Sequence, residues 1–109
     1  MSYTGKSVKN QAGYVYCLSD KDGRFMIGSA SDEVEIEEVL EYCEEDYRTQ
    51  FNVINTLDTS SPENSMQIIC TMLSDYSVSD VRPIFICSLA KIEKTFKIIS
   101  NLISKSLIN

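Results

Sequence analysis

The sequence predicts an α+β domain in which a small, antiparallel-type sheet begins with a β-hairpin and packs against about three helices. Two short, mainly apolar runs, Tyr14 to Leu18 and Arg24 to Gly28, flank a segment of turn chemistry. Three longer segments repeat apolar residues at helical spacing. At 109 residues the chain has room for one apolar core, burying about 65% of its unfolded surface, and none for a second domain.

Residues 1–12, polar and carrying Lys6 and Lys9, are expected to form a flexible arm ahead of a single domain over 13–109. Ser19-Asp20-Lys21-Asp22-Gly23 supplies a five-residue hairpin loop. Asp32, followed three residues later by Glu35, makes a capping box, and Ile36, Val39, Leu40, Cys43 and Tyr47 recur at helical spacing. The first helix should therefore run from about Glu33 to Glu45. Its early carboxylates suit the positive end of the helix dipole, whereas Glu44, Glu45 and Asp46 oppose the negative end.

Phe51-Asn52-Val53-Ile54 reads as a third strand. Ser61 is an N-cap with Pro62 at the first helical position, and Met66, Ile69, Cys70, Leu73 and Tyr76 mark the core face of a helix from about Pro62 to Asp75. Ile84-Phe85-Ile86-Cys87 is a short strand or an extended lead-in, because Pro83 has no N–H to donate. Leu89, Ile92, Phe96, Ile99 and Ile103 complete a third amphipathic helix.

The formal net charge is −6, which argues against a general nucleic-acid binder. The charge is also unevenly placed. Nine acidic residues and no basic one lie between Asp32 and Asp46, while Lys91, Lys94, Lys97 and Lys105 gather near the C-terminus. Both sets can be solvated helix faces, or they can be interaction surfaces, with Glu37, Glu41 and Glu44 opposed to Lys91, Lys94 and Lys97. The partner expected on that reading is a protein or another copy of the chain. No apolar stretch reaches the roughly 18 to 20 residues of a membrane span, and no signal peptide is recognisable, so an intracellular place is expected.

Several chemistries are excluded or weakened. With no histidine, the usual Ser-His and Cys-His nucleophile pairs are absent, and Cys17, Cys43, Cys70 and Cys87 lie apart inside apolar runs rather than at zinc-ligand spacing. They are expected to be reduced core thiols, with disulfides left open. No metal site or cofactor is read from the residues. There is no P-loop and no GxGxxG. Asp20-Lys21-Asp22-Gly23 looks like the start of a calcium loop, but the twelfth position is Ser31 rather than a glutamate, so a hairpin turn explains it better. Glu37, Glu38, Glu41, Glu44 and Glu45 look exposed and unpartnered, hence poor acid-base groups.

Gly13-Tyr14-Val15-Tyr16-Cys17-Leu18 and Phe25-Met26-Ile27-Gly28, together with the order of elements, resemble the GIY-YIG nuclease superfamily. The likeness is to the short branch common in phages and large DNA viruses, with a GYIYVL-like strand leading to a KIG-like one. It extends over about residues 13 to 103. Met66 to Leu73 falls where the family has its glutamate-bearing helix, and Val81-Arg82-Pro83-Ile84-Phe85 resembles a segment before its last helix. The resemblance implies a nuclease fold and, in active members, phosphodiester hydrolysis with one divalent metal held by a glutamate. It also implies an arginine on the first helix and tyrosines that help activate water.

Residue by residue, Tyr16 matches the tyrosine of the first motif and Met26 occupies the tyrosine position of the second. The first helix has neither arginine nor lysine, and the nearest candidate is Arg48 beyond it. Met66 stands at the glutamate position, with Glu63 one turn earlier and Gln67 adjacent, and a shift of one residue turns a helical side chain by about 100°. The expectation is a degenerate member with no catalytic residues, acting as an interaction or structural protein of a large DNA virus, in the cytoplasm, nucleus or virion. The alternative is a divergent magnesium-dependent nuclease using Tyr16, Arg48 and Glu63. A further alternative is an acidic DNA mimic that blocks a nucleic-acid-binding protein. Without catalysis, Tyr14 and Tyr16 are sheet aromatics on one face, and Met66, Ile69 and Leu73 are helix core.

Overall fold

The computed structural model describes residues 12–105. The expected arm lies, save for Ala12, outside the described residues. In chain order the elements are β1 (Gly13–Ser19), β2 (Arg24–Ala30), α1 (Glu33–Tyr47), β3 (Asn52–Thr59), α2 (Pro62–Met72), a single 3-10 turn (Ser74–Tyr76), β4 (Ile84–Ile86) and α3 (Leu89–Ser104). The domain is α+β, as expected. Its four strands are ordered β3-β1-β2-β4, with every neighbouring pair antiparallel.

Helices cover both faces of the sheet. On one face Val15, Cys17, Phe25, Ile27 and Leu57 meet Ile69 and Leu73 at α2 and Ile92, Phe96 and Ile99 of α3. On the other, Tyr16, Leu18, Met26 and Ala30 meet Ile36 and Cys43 of α1. Covering both faces explains why β1 and β2 read as nearly unbroken apolar runs instead of alternating ones. Met66, Ile69 and Leu73 are core residues, and Tyr14 and Tyr16 share the α1 face of β1. All four cysteines are free, Cys17 and Cys43 buried, Cys70 and Cys87 half-buried.

The hairpin loop is one residue shorter than expected, because Ser19 pairs with Phe25. Asp20 organises it. Its buried carboxylate accepts the backbone N–H groups of Asp22 and Arg24, each at 2.9 Å, and the Arg24 Nε at 2.6 Å. Those bonds occupy the oxygens that a calcium loop would need, and Gly23, at φ 83°, turns the chain where a side chain would be strained. Burial alone would raise the Asp20 pKa. The Arg24 N–H, the Arg24 guanidinium and the Asp22 N–H outweigh it, so the net shift is downward. A lowered folded-state pKa adds stability above the ordinary aspartate value near 4 and loses it as pH falls through the folded value. Asp20→Asn is accordingly expected to cost about 1.5 kcal/mol at pH 7, with the gap to wild type closing in acid. Urea titrations at pH 7 and pH 3 check this; a gap that persisted unchanged in acid would contradict the charged role.

α1 begins with the expected cap, the Asp32 carboxylate accepting the Glu35 N–H at 2.8 Å. Glu35 reaches back one residue further than in a standard box, to the Ser31 N–H at 3.1 Å. The helix extends two residues beyond the expected end because Tyr47 packs edge-on against Phe51, with ring centroids 5.7 Å apart. Arg82, distant in sequence, offsets part of the acidic C-terminus. It pairs with Asp46 at 3.1 Å, hydrogen-bonds the Tyr47 hydroxyl and lies over the Tyr47 ring at 5.2 Å.

The helix ends on Arg48 in the left-handed region, φ 55° and ψ 35°. Glycine adopts that conformation without a Cβ penalty, so Arg48→Gly should stabilise the domain by about 1 kcal/mol. An unchanged or lower urea midpoint would show that the Arg48 side chain contributes more than its strain costs.

Two other boundaries differ from expectation. β3 runs to Thr59 rather than stopping near Ile54, its polar composition reflecting an edge strand with Thr56 and Asp58 exposed. It carries a bulge, since Cys17 pairs with Asn55 and Leu18 with Val53, leaving Ile54 unpaired. α2 stops at Met72 instead of Asp75 and tightens into the 3-10 turn. At its start Ser61 is the N-cap residue, but its side chain makes no capping bond. Instead the Thr59 hydroxyl accepts the Ser61 N–H at 3.1 Å and shares a hydrogen bond with Ser65 at 2.8 Å.

Candidate functional site

The two short motifs meet across the β1–β2 hairpin, where Tyr16 and Gly28 are cross-strand partners. Tyr16 lies over the glycine so closely that a Cβ built on Gly28 would stand 2.2 Å from the Tyr16 hydroxyl and 2.3 Å from its Cζ. The aromatic ring thus fills the space the missing side chain leaves, as aromatic residues do beside strand glycines. Tyr16 is 6% exposed. Burial, with smaller contributions from Cys43 and Glu35, pushes its phenol up to about 12, so the neutral hydroxyl is the form present at neutral pH.

Gly13, the first residue of the first motif, has an equally local role. A Cβ there would lie 2.4 Å from the Ala30 carbonyl oxygen and 2.9 Å from the Pro62 Cγ. Its absence lets the ends of β1 and β2 meet the start of α2 closely.

The residues of the nuclease alternative are not brought together. Tyr16 faces α1, whereas Glu63 is exposed in the first turn of α2, which packs on the opposite face of the sheet. Arg48 is exposed at the far end of α1. Met66, at the expected glutamate position, packs against the α2–α3 core. Among the described residues no three Cys, Asp or Glu side chains are grouped to hold a metal ion. Glu63 therefore does not fit a magnesium site shared with Tyr16 and Arg48.

The expected interaction residues are arranged more coherently. Glu33, Glu37, Glu41 and Glu44 follow helical spacing along one side of α1, all exposed. That ridge borders a groove of about 450 Å³, where a single helix fails to cover the β3 half of the sheet. Tyr14, Val53 and Thr56 floor it, while Ile36 and Leu40 form a wall rimmed by Glu33 and Glu37. On the other face Lys94 and Lys97 are exposed on α3. Lys91 is differently placed, half-buried with its ammonium 5.8 Å from the Tyr76 ring centroid.

Sequence reasoning found the charged ridge but not the groove beside it. Leu40 was legible only as one more core position, and Val53 only as a strand residue, because the helix-to-strand placement that leaves them facing an open channel is not periodic information. Among the described residues no helix is long and apolar enough to cross a membrane. No family model matches the chain, and neither a curated protein nor a solved structure matches it.

Proposed function

We propose that the chain is a non-catalytic GIY-YIG-like domain of a large DNA virus that works inside the cell, or in the virion, as a protein-interaction or structural component. The observation that carries this reading is the separation of the nuclease-position residues. Tyr16 is a protonated packing partner of Gly28 on one sheet face, and Glu63 is exposed in the first turn of α2 on the other side. Phosphodiester hydrolysis of the kind the resemblance implies places a metal and a cation close to one phosphate. Here the side of the sheet that carries Tyr16 is instead lined by the acidic ridge of α1, which repels phosphate.

The test is anisotropy of labelled duplex and single-stranded DNA at low salt, with magnesium and then calcium, followed by a cleavage assay. No salt-sensitive binding and no cleavage are expected. Binding that falls steeply with salt, together with metal-dependent cleavage abolished by Tyr16→Phe or Glu63→Gln, would overturn the reading.

A further inference from the structure

The acidic ridge and the lysines of α3 lie on opposite faces of one sheet. Neither ion pair among the described residues, Arg24–Asp20 or Arg82–Asp46, uses Glu33, Glu37, Lys94 or Lys97. The ridge also borders an apolar channel, and Val53 on its floor is 39% exposed. Among the described residues α1 covers that face of β3 only in part. The α3 surface offers a matching element. Ile98, 37% exposed, follows Lys94 by one helical turn, with Lys97 adjacent. It is an apolar anchor flanked by cations. Glu33 and Glu37 are separated by i,i+4 and Lys94 and Lys97 by i,i+3, spacings that both place side chains about 5–6 Å apart on a helix.

We infer that the channel between α1 and β3 receives the α3 surface of a second copy of this chain, Ile98 seating against Leu40 and Val53 while Lys94 and Lys97 meet Glu33 and Glu37. This rests on the non-catalytic interaction reading above and names its surface and its partner. The contact is heterologous, joining one face of a molecule to the opposite face of the next, so each added copy presents a fresh channel. Such contacts build rings or open fibres rather than closed dimers. The charges steer and orient the approach, and the apolar seat supplies the burial.

The experiment is sedimentation velocity of the full chain across a concentration series, between about 10 mM and about 300 mM salt, an interval over which the screening length shortens several-fold. Wild type should assemble with concentration at low salt and return to monomer at high salt. The double reversal Glu33→Lys/Glu37→Lys and the double reversal Lys94→Glu/Lys97→Glu should each weaken association at least about tenfold. Their equimolar mixture should restore it, because each variant's channel then matches the other's helix. Ile98→Asp should abolish assembly at low salt.

All four substituted carboxylate and ammonium positions are exposed, and far-UV circular dichroism is the check that each variant is folded. A wild type that remains monomeric throughout overturns the inference. So does a mixture of folded charge variants that stays monomeric, or assembly indifferent to all of these changes. The underlying reading fails separately, by DNA binding and cleavage in the assay above. A monomer that ignores DNA removes only the second copy as occupant.

Discussion

Gly13→Ala is expected to destabilise the domain by about 3 kcal/mol, the upper end of what overpacking costs. The added methyl would meet backbone, the Ala30 carbonyl oxygen at 2.4 Å, as well as the Pro62 ring and the Ser31 Cα. A side chain can rotate away from such a clash, but a carbonyl in the β1–β2 ladder cannot move without disturbing the Tyr14–Ala30 pair. Domains of this size are held by roughly 5–15 kcal/mol, so the loss would lower the urea midpoint by a substantial fraction. A cost below about 1 kcal/mol would mean that the β1–α2 approach is looser than this geometry requires.

Gly28→Ala should cost about 2 kcal/mol, for a different reason. Here the obstacle is the Tyr16 side chain, which can yield only by withdrawing from the cluster it forms with Leu18, Met26, Ile36 and Cys43. The two positions should therefore be coupled. In a Tyr16→Leu background the same glycine substitution should be nearly neutral or mildly stabilising, since alanine restores a strand side chain where glycine had none. A double-mutant cycle by urea denaturation should return a coupling of at least about 1 kcal/mol, and strict additivity would show that the ring does not occupy the glycine's space.

These two glycines bear on how the motif residues are understood. In sequence, Gly13-Tyr14-Val15-Tyr16 and Met26-Ile27-Gly28 look like the remains of a catalytic signature. In the structure both glycines answer local steric demands, and Tyr16 answers one of them. Such demands exist whether or not catalysis does, so the strand pattern by itself does not imply the chemistry. Tyr14 has a separate place, on the floor of the channel beside α1.

How much was legible varied with how local the cause was. The Asp32 cap, the start of α2 at Pro62 and most of each helix's core face could be read because each depends on residues within a turn or two, whereas Leu89 and Tyr76, read as face residues, are exposed. The end of α1 could not, since Tyr47 and Asp46 are steadied by Arg82, which reaches them from a loop more than thirty residues away. The length of β3 was underread for a related reason. An edge strand with one half-covered face tolerates Thr56 and Asp58 there, which weakens the alternation that identifies strands.

The candidate surface divides in the same way. Charge segregation was visible directly, because nine carboxylates within fifteen residues and a set of C-terminal lysines need no fold to be seen. What those charges face depends on the strand order β3-β1-β2-β4, which places β3 at an edge and leaves it half-covered. It also depends on which helix crosses which face, and that is set by long-range packing rather than by any local preference. The sequence alone therefore specified the class of fold, its helices and the sign of each surface, all consequences of side-chain chemistry at short range. The separation of Tyr16 from Glu63, the open channel beside α1 and the opposition of its acidic rim to the α3 lysines arose only when the sheet assembled, because a sheet juxtaposes residues that the chain keeps far apart.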